Sequence, residues 1–388
     1  MNPLWVDVAA QTFPALQQTI EVDVAVIGGG FSGLGAAHRL GQAGANTALV
    51  EARTIASGAS GRNAGFLVSG AALGFRATVR SLGDAPAREI RCLTERNQQT
   101  ILGLIEQHDI DCGFLRRGSM SLAADDAEWE DLLLDLEAMT AAGVNACRVD
   151  RGDLPRPFGR LYLGGVYVPG NAEINPGSFL RSVAMNLPGA VRVFEMTRVE
   201  AVHHSGRWHV RAGRGEIRAR AVILAANAYT QTVWPAAPIV PTRGQVLATD
   251  PLPRVVVPFP MGANRGFQYW RQTAEGRLVI GGWRDLAPDE EVGTVEALNH
   301  DIQRALDAFR AQLTSQAAAT RWAGIMGFTS DHFPLVGAVP GSPDLYVAAG
   351  YSGHGVSMAF TCGALVAARA IGEQSRIPLA FDPGRLLA

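Results

Sequence analysis

Apolar and polar positions are most clearly ordered near the start of the chain, from Val22 to Arg53. An uninterrupted apolar run, Val24 to Ile27, predicts a buried parallel strand, and Phe31 to Gln42 predicts a helix. A second predicted strand, Asn46 to Val50, ends at Glu51. This order of strand, helix and strand predicts a βαβ unit at the start of a parallel sheet.

Three glycines between the first strand and the helix have the G-x-G-x-x-G spacing. Gly28 permits a tight turn, Gly30 lets the backbone approach a pyrophosphate, and Gly33 lets the helix pack closely on the strand. The helix N-terminus attracts phosphates, and Glu51 is able to accept both hydroxyl hydrogens of an adenosine ribose. The complete unit predicts a dinucleotide site, the alternative being an ordinary tight βα turn.

Hydrophobic periodicity predicts further helices and strands along the rest of the chain. The predicted helices are Arg88 to His108, Asp125 to Ala142, Val295 to Leu313 and Met358 to Gly372. The predicted strands are Ser119 to Ala123, Val191 to Phe194, Val199 to Val202, Trp208 to Ala212, Ala221 to Ala225, Gly244 to Ala248, Phe267 to Trp270, Arg277 to Gly281 and Leu345 to Ala349.

The order of these elements predicts an α/β fold in which the nucleotide domain is discontinuous. We expect a Rossmann-like domain from residues 1–85, 145–235 and 320–388. An inserted α+β domain with a mixed sheet, residues 86–144 and 236–319, would lie on the substrate side. The apolar segments Ala221 to Ala226 and Leu345 to Gly372 suit the parallel layer of the first domain.

Composition narrows the class of protein. The chain has 388 residues and a net charge of −2, which gives no indication of nucleic acid or an anionic membrane surface as a partner. No signal peptide is recognisable, and the long uncharged stretch Leu345 to Ala368 is broken by glycines, so we expect no membrane span. Four scattered cysteines without a C-x-x-C pair indicate free thiols and a cytoplasmic location.

All 34 basic residues are arginines, and this limits the chemistry. Without lysine the chain has neither a Schiff-base lysine nor a Walker phosphate loop. No metal centre is expected, because the adjacent His203 and His204 on a strand point to opposite faces.

With these features in view, the chain resembles the FAD-dependent D-amino-acid oxidase superfamily, which includes glycine and sarcosine oxidases. It is most similar to the branch around gamma-glutamylputrescine oxidase. The resemblance runs from about Trp5 to about Gly372. Its segments are the opening unit, Gly58 to Gly65, Pro241 to Thr249, Tyr269 to Trp283, Trp322 to Gly337 and Ala348 to Ala359.

The resemblance implies FAD as the cofactor, held without a covalent bond. Neither the cysteine nor the histidine that attaches flavin in some members has a counterpart here. Arg62 would be a cation for phosphate or the flavin edge, and a helix that begins near Val356 would stabilise negative charge on the reduced ring. The implied FAD residues are Gly28, Gly30, Phe31, Ser32, Gly33, Glu51, Ala52, Arg53, Ser60, Gly61, Arg62, Asn63, Ala64, Val199, Ala226, Gly324, Gly353, His354, Gly355, Val356 and Ser357.

The chemistry implied by the family is oxidation of a C–N bond. A primary or secondary amine, or an N-substituted amino acid, would lose hydride to flavin N5, and the resulting imine would hydrolyse. The implied substrate-facing residues are Tyr269, Arg271, Trp283, Met326 and His354. Core packing is the alternative for Tyr269 and Trp283. For His354, the alternatives are a general base and a packing role in its loop.

Two departures from the family pattern affect specificity and the electron acceptor. Met326 stands where glycine-oxidase-like members carry an arginine for the substrate carboxylate. A neutral thioether cannot pair with a carboxylate, which argues against a simple α-amino acid and favours a primary or secondary amine, one with a distant polar group included. The alternative is that Arg271 or Arg284 takes over the grip on a carboxylate. The family lysine that promotes reaction with oxygen is absent, which leaves His354 or an arginine as its substitute. The expected partners are therefore an amine and either oxygen or another electron acceptor. A dehydrogenase and a non-catalytic FAD-binding subunit are the alternative functions.

Overall fold

The computed structural model describes residues 3–6 and 12–387, and this part of the chain contains eighteen strands and seven α-helices. The strands are β1 (Ile20–Ile27), β2 (Thr47–Val50), β3 (Phe66–Leu67), β4 (Ser119–Ala123), β5 (Cys147–Asp150), β6 (Gly164–Val168), β7 (Ala172–Glu173), β8 (Val191–Phe194), β9 (Val199–Ser205), β10 (Arg207–Ala212), β11 (Gly215–Leu224), β12 (Val240–Pro251), β13 (Met261–Ala263), β14 (Gln268–Gln272), β15 (Arg277–Gly282), β16 (Ala318–Phe328), β17 (Leu335–Ala338) and β18 (Leu345–Ala349). The α-helices are α1 (Phe31–Gln42), α2 (Phe75–Leu82), α3 (Asp84–His108), α4 (Asp126–Ala141), α5 (Pro176–Met185), α6 (His300–Leu313) and α7 (Gly355–Ala370).

The first sheet has the order β17-β18-β11-β1-β2-β8, and β10 and β9 extend it beside β11. Strands β18, β11, β1, β2 and β8 are parallel to one another. The last four residues of β1, Val24 to Ile27, are buried, which matches their continuous apolar run. All five parallel strands therefore present their carboxyl ends at one edge, where ligands bind in open α/β sheets.

The second sheet has the order β16-β12-β15-β14-β13-β4-β6-β5. Its neighbours are antiparallel except for β13 and β4. Helix α6 covers one face, where Phe309 packs against Trp270 at a ring-centroid distance of 4.5 Å. The other face carries Tyr269 and Arg271, since alternate residues of a strand point to opposite sides.

Helices α1 and α7 cross closely on the first sheet because glycines remove side chains from their contact. A Cβ at Gly35 would lie 2.0 Å from the carbonyl oxygen of Phe360, and one at Gly363 would lie 1.9 Å from that of Ser32. Both helices, together with α3 and α5, share one hydrophobic core with this face of the sheet. The opposite face is buried against Trp208 of β10 and its neighbours.

The predicted fold class is confirmed, and most predicted elements are present. Helix α1 has the predicted bounds, whereas α6 begins five residues later than predicted because Asn299 caps it, accepting from the N–H groups of Asp301 and Ile302. The predictions omitted two helices and seven strands: α2, α5, β3, β5, β6, β7, β13, β16 and β17. Helix α5 carried a local signal, since Asn175 caps it and a proline follows. Strand β16 has no clean alternation, because alanines and glycines interrupt it.

The predicted domain boundaries remain a proposal, although strand pairing groups some segments differently. Strands β5, β6 and β16 lie partly or wholly within the segments assigned to the nucleotide domain, yet they pair in the second sheet. All but the first two residues of helix α3 lie within the segment assigned to the substrate domain, but Ile90 and Ile101 belong to the core that contains α7. Over the described residues, no helix has the length and apolar character needed to cross a membrane. The four cysteines are free thiols.

Candidate cofactor and substrate site

A cavity of about 480 Å³ opens at the carboxyl ends of the parallel strands. We call its first end, lined by Glu51, Arg53 and Val199, the β2 end, and its other end, lined by Met326, Gly353 and Val356, the α7 end. The implied FAD and substrate residues that line it are Gly28, Gly30, Phe31, Ser32, Glu51, Ala52, Arg53, Ser60, Asn63, Val199, Ala226, Met326, Gly353, Gly355 and Val356. Those outside its lining are Gly33, Gly61, Arg62, Ala64, Tyr269, Arg271, Trp283, Gly324, His354 and Ser357.

The turn between β1 and α1, the glycine turn, has no room for side chains at its glycines. Gly28 has a φ of +116°, which favours glycine. A Cβ at Gly30 would lie 2.6 Å from Ser60 Oγ, and one at Gly33 would lie 1.8 Å from the carbonyl oxygen of Gly28. The Phe31 N–H donates to Ser60 Oγ at 3.2 Å, which joins the start of α1 to the loop after β2. Ser32 lies in the first turn of α1 and lines the cavity, and its N–H has no intrahelical acceptor, so the turn is suited to bind a phosphate.

Glu51 is fixed at the β2 end by backbone donors. Its Oε2 accepts from the Gly29 N–H at 2.8 Å, and its Oε1 accepts from the Arg53 N–H at 2.9 Å. Burial raises the pKa of Glu51, although both of these hydrogen bonds lower it in part. The carboxylate retains free lone pairs toward the cavity, as a ribose-binding acid requires.

A second buried acid, Glu195, lies outside the cavity lining and holds the backbone segments beside the β2 end. Its Oε1 accepts from the Ile55 N–H at 2.6 Å, and its Oε2 accepts from Thr12 and Phe13 N–H at 2.6 and 3.0 Å. These bonds hold the loop after β2 against the end of β8. Glu195 therefore acts on the cavity by positioning its walls.

Arginines 53 and 62 share one acidic partner. Glu296 accepts from Arg53 Nη1 at 2.9 Å and lies 3.1 Å from Arg62 Nη2. Arg62 also donates to the carbonyl oxygens of Ser57 and Ala323, at 2.8 and 3.1 Å. Because its nitrogens have protein acceptors and it lies outside the lining, Arg62 ties the loop to β16, and its predicted phosphate contact stays a prediction.

The α7 end combines residues from distant parts of the chain. The Tyr351 hydroxyl is 2.7 Å from Ser32 Oγ and so links the loop before α7 to α1. A Cβ at Gly353 would lie 3.8 Å from Met326 Sδ of β16. Gly355 and Val356 begin α7 and line the cavity, and the first N–H groups of a helix have no intrahelical acceptor. This helix start is positioned to stabilise negative charge.

The remaining predicted substrate residues lie beside the cavity or away from it. Tyr269 packs edge-to-face on Phe66 at 6.0 Å. Arg271 is buried with 1% exposure, donates to the Ile174 carbonyl at 2.7 Å and lies 3.6 Å from Glu173. A second arginine, Arg117, also pairs with Glu173.

Trp283 and His354 have different surroundings. Trp283 has a φ of +59° and packs on Phe309 at 5.3 Å, which places it in the core beneath α6. His354 precedes α7, and its Nδ1 has no hydrogen-bond partner in the described structure. Burial is the main cause that lowers the pKa of His354; a hydrogen bond with the Ser352 backbone raises it in part, and Arg284 and His332 lower it further.

Sequence reasoning missed several lining residues. Asn227 and Tyr229 follow β11, so the rule that ligands lie beyond the carboxyl ends of parallel strands was an available signal. Tyr351 follows β18 in the same way. Thr294 and Glu296 come from the loop before α6 and carried no local signal.

These features fit FAD and define a dinucleotide-binding protein of the open α/β type. The β2 end offers an acid for a ribose, the glycine turn offers N–H groups for phosphates, and the α7 end offers apolar walls and a helix start for a ring.

The chain belongs to the FAD dependent oxidoreductase (DAO) family, whose model matches residues 23–369. It is therefore a FAD-dependent oxidoreductase. It is 30% identical to the gamma-glutamylputrescine oxidoreductase of Escherichia coli over 381 residues, which cover 94% of this chain and 87% of the relative. The fold is similar to that of glycine oxidase from Geobacillus kaustophilus, with a TM-score of 0.82, 22% identity and coverage of 94% of this chain and 99% of the other. It is also similar to L-proline dehydrogenase from P. horikoshii, with a TM-score of 0.80, 22% identity and coverage of 95% and 98%.

Proposed function

We propose that this protein oxidises the C–N bond of a primary or secondary amine, or of an N-substituted amino acid, to an imine that water hydrolyses. The observation that carries the proposal is one cavity shared by two sheets. Glu51 at its β2 end follows the parallel sheet, whereas Met326 at its α7 end belongs to the second sheet. A dinucleotide along this cavity would direct its ring toward the second sheet. The relatives' names, which designate gamma-glutamylputrescine and glycine, support an amine as the substrate.

Bound FAD would supply the acceptor for the hydride that leaves the carbon next to nitrogen. The protein's own task is then to orient that carbon and to exclude water. Tyr269 is suited to orientation, because its hydroxyl has no hydrogen bond within the described residues. Burial raises the pKa of Tyr269 to about 12, so the hydroxyl stays protonated and donates at neutral pH.

The protein must also favour the neutral amine over the ammonium form. Of the described residues that line the α7 end, none is acidic, so no lining carboxylate stabilises an ammonium there. His354 has a lowered pKa and an unpartnered Nδ1, which keeps its imidazole neutral and able to accept a proton. We propose that His354 accepts the proton that the substrate ammonium must lose before oxidation.

A second candidate is an amine dehydrogenase that passes electrons to an acceptor other than oxygen. A positive charge near the ring favours electron transfer to oxygen electrostatically. The described residues that line the α7 end include no basic residue, and His354 beside it is held neutral. This apolar, uncharged end favours the dehydrogenase over the oxidase.

Anaerobic mixing of the FAD-loaded protein with a panel of primary and secondary amines tests the proposal. Loss of the visible flavin absorbance with at least one amine supports amine oxidation. Subsequent admission of air separates the two candidates, because an oxidase forms hydrogen peroxide and a dehydrogenase is reoxidised only by an added quinone or dye. Protein that binds FAD but is reduced by none of the amines would contradict the proposal and favour a non-catalytic FAD-binding subunit.

A further inference from the structure

We propose that Arg284 binds a carboxylate of the substrate, several bonds from the carbon that is oxidised. This inference rests on the proposed function, and it extends that function to a substrate class. The class is an amine that carries a remote carboxylate rather than a simple α-amino acid.

The first support is the environment of the Arg284 guanidinium. Its Cζ lies 4.3 Å from the ring centroid of Phe267 and 5.0 Å from that of Phe328. Within the described part of the chain, the Arg284 side chain has no hydrogen bond and no ion pair. Its sequence neighbour Asp285 accepts instead from Asn264 Nδ2, at 2.8 Å. A half-buried guanidinium held only by aromatic rings retains its full set of donors for an anion.

The second support is the position of Arg284 beside the candidate active site. Its positive charge lowers the pKa of Tyr269 and of His354, so the guanidinium lies within electrostatic range of each of them. Its contact residue Phe328 lies two positions beyond Met326 on β16, and residues two apart share a face of the strand. Met326 lines the α7 end, whereas Phe328 stands roughly 7 Å farther along the strand, outside the lining, and the guanidinium packs on the Phe328 ring. A carboxylate bound by Arg284 would therefore stand several bonds from a carbon held at the α7 end.

The other candidate, Arg271, is already engaged. Glu173 lies 3.6 Å from its Nη1, and the Ile174 carbonyl accepts from its Nη2. Its side chain is buried behind Gly65, where a Cβ would lie 2.8 Å from the Arg271 Nη2. Arg271 Nε has no hydrogen-bond partner in the described structure, but it is buried and Arg271 lies outside the cavity lining. Arg284 is the arginine of the two whose whole guanidinium is free of hydrogen bonds.

Paired ligands and variants of the holoenzyme test the inference. Hexanoate and hexanamide have the same length, and neither carries an amine that could be oxidised. They differ in charge, so calorimetric titration of both measures what the carboxylate charge adds to binding. The wild-type protein is expected to bind hexanoate at least 10-fold more tightly than hexanamide. Arg284→Gln is expected to bring this ratio close to one, and Arg284→Lys to an intermediate value, because lysine lacks the bidentate fork. Acetate and acetamide, which are too short to span the displacement, are expected to differ less.

The matched control is Arg265→Gln. Arg265 is exposed and pairs with Asp131, and its loss is expected to leave the hexanoate preference unchanged. A wild-type protein without the preference, or an Arg284→Gln variant that keeps it, would overturn the inference. The amine panel separates this outcome from failure of the proposed function. If amines reduce the flavin but the protein does not prefer hexanoate over hexanamide, only the role of Arg284 is contradicted. If the protein prefers hexanoate but no amine reduces the flavin, only amine oxidation is contradicted.

Discussion

Replacement of Glu51 by glutamine is the most direct test of the β2 end. The change preserves size but removes a negative charge and one acceptor oxygen. The native carboxylate holds the N–H groups of Gly29 and Arg53 while it faces the cavity. A glutamine is able to accept from one of these two donors, and it then turns an NH₂ group toward the other.

The magnitude follows from the hydrogen bonds that are lost. Hydrogen bonds to a charged group contribute about 1.5–3 kcal/mol each, and a buried donor without an acceptor costs about 1–3 kcal/mol. With one ribose hydroxyl weakened and the backbone cradle disturbed, we expect FAD binding to lose about 2–4 kcal/mol, which is roughly 30- to 1000-fold in Kd. The stability of the apoprotein should change by less, because the same substitution removes a buried charge.

The assay is titration of apoprotein with FAD, followed by flavin fluorescence as a function of pH. Because the pKa of Glu51 is raised, we expect the wild-type affinity for FAD to fall as pH decreases through this raised value, above that of an ordinary glutamate. For unfolding of the apoprotein the sign is opposite. A pKa raised on folding stabilises at low pH, and this stability is lost as pH rises through the folded-state value. Equal affinities in the wild type and Glu51→Gln, or the same pH dependence in both, would refute the reasoning. Glu200→Gln on the exposed β9 is the control.

Three further changes test the surrounding structure. Gly33→Ala would place a Cβ 1.8 Å from the Gly28 carbonyl oxygen, so we expect a loss of about 3 kcal/mol or more in unfolding free energy. In contrast, Gly103→Ala in α3 meets nothing within 4 Å and should gain about 0.5–1 kcal/mol; equal effects in a denaturant titration would contradict the packing argument. Glu195→Gln should cost about 1–3 kcal/mol in the same titration, because three N–H groups depend on its carboxylate, and an unchanged midpoint would be inconsistent with that role. Acid precipitation should release all FAD into the supernatant, since neither cysteine nor histidine is among the described lining residues, and yellow colour left on the polypeptide would indicate a covalent bond.

The glycine turn and Glu51 could be predicted from sequence because they are contiguous. Gly28, Gly33 and Glu51 lie within one βαβ unit, and each position has a separate steric or polar requirement. The bounds of α1 followed from the same pattern. A single stretch of chain therefore specified the dinucleotide turn and its acid.

The substrate side could not be predicted in the same way, because its residues owe their roles to distant partners. From the sequence, Arg271 and Arg284 are equal candidates for binding a substrate carboxylate. The structure distinguishes them, because Glu173 pairs with Arg271 and not with Arg284. For Trp283 the sequence leaves a pocket wall and core packing as alternatives, and in the structure its ring packs on Phe309 of α6, distant in the sequence. No local pattern contains either relationship.

Because the chain has no lysine, different groups would serve the two halves of the proposed reaction, which are reduction of the cofactor by the amine and its reoxidation by an acceptor. No acidic residue stands in the first turn of α7, so the positive end of its dipole faces the cavity uncompensated. A helix terminus of this kind stabilises a nearby negative charge by about 0.3–2 kcal/mol, which aids hydride uptake whatever the final acceptor. Electron transfer to oxygen would gain instead from a full positive charge near the ring. Arg284 packs on Phe328 outside the lining of the α7 end, and the substrate carboxylate that we propose for it would neutralise its charge. The backbone of α7 would thus serve reduction of the cofactor, whereas the bound carboxylate would remove the charge that favours oxygen, in agreement with the dehydrogenase.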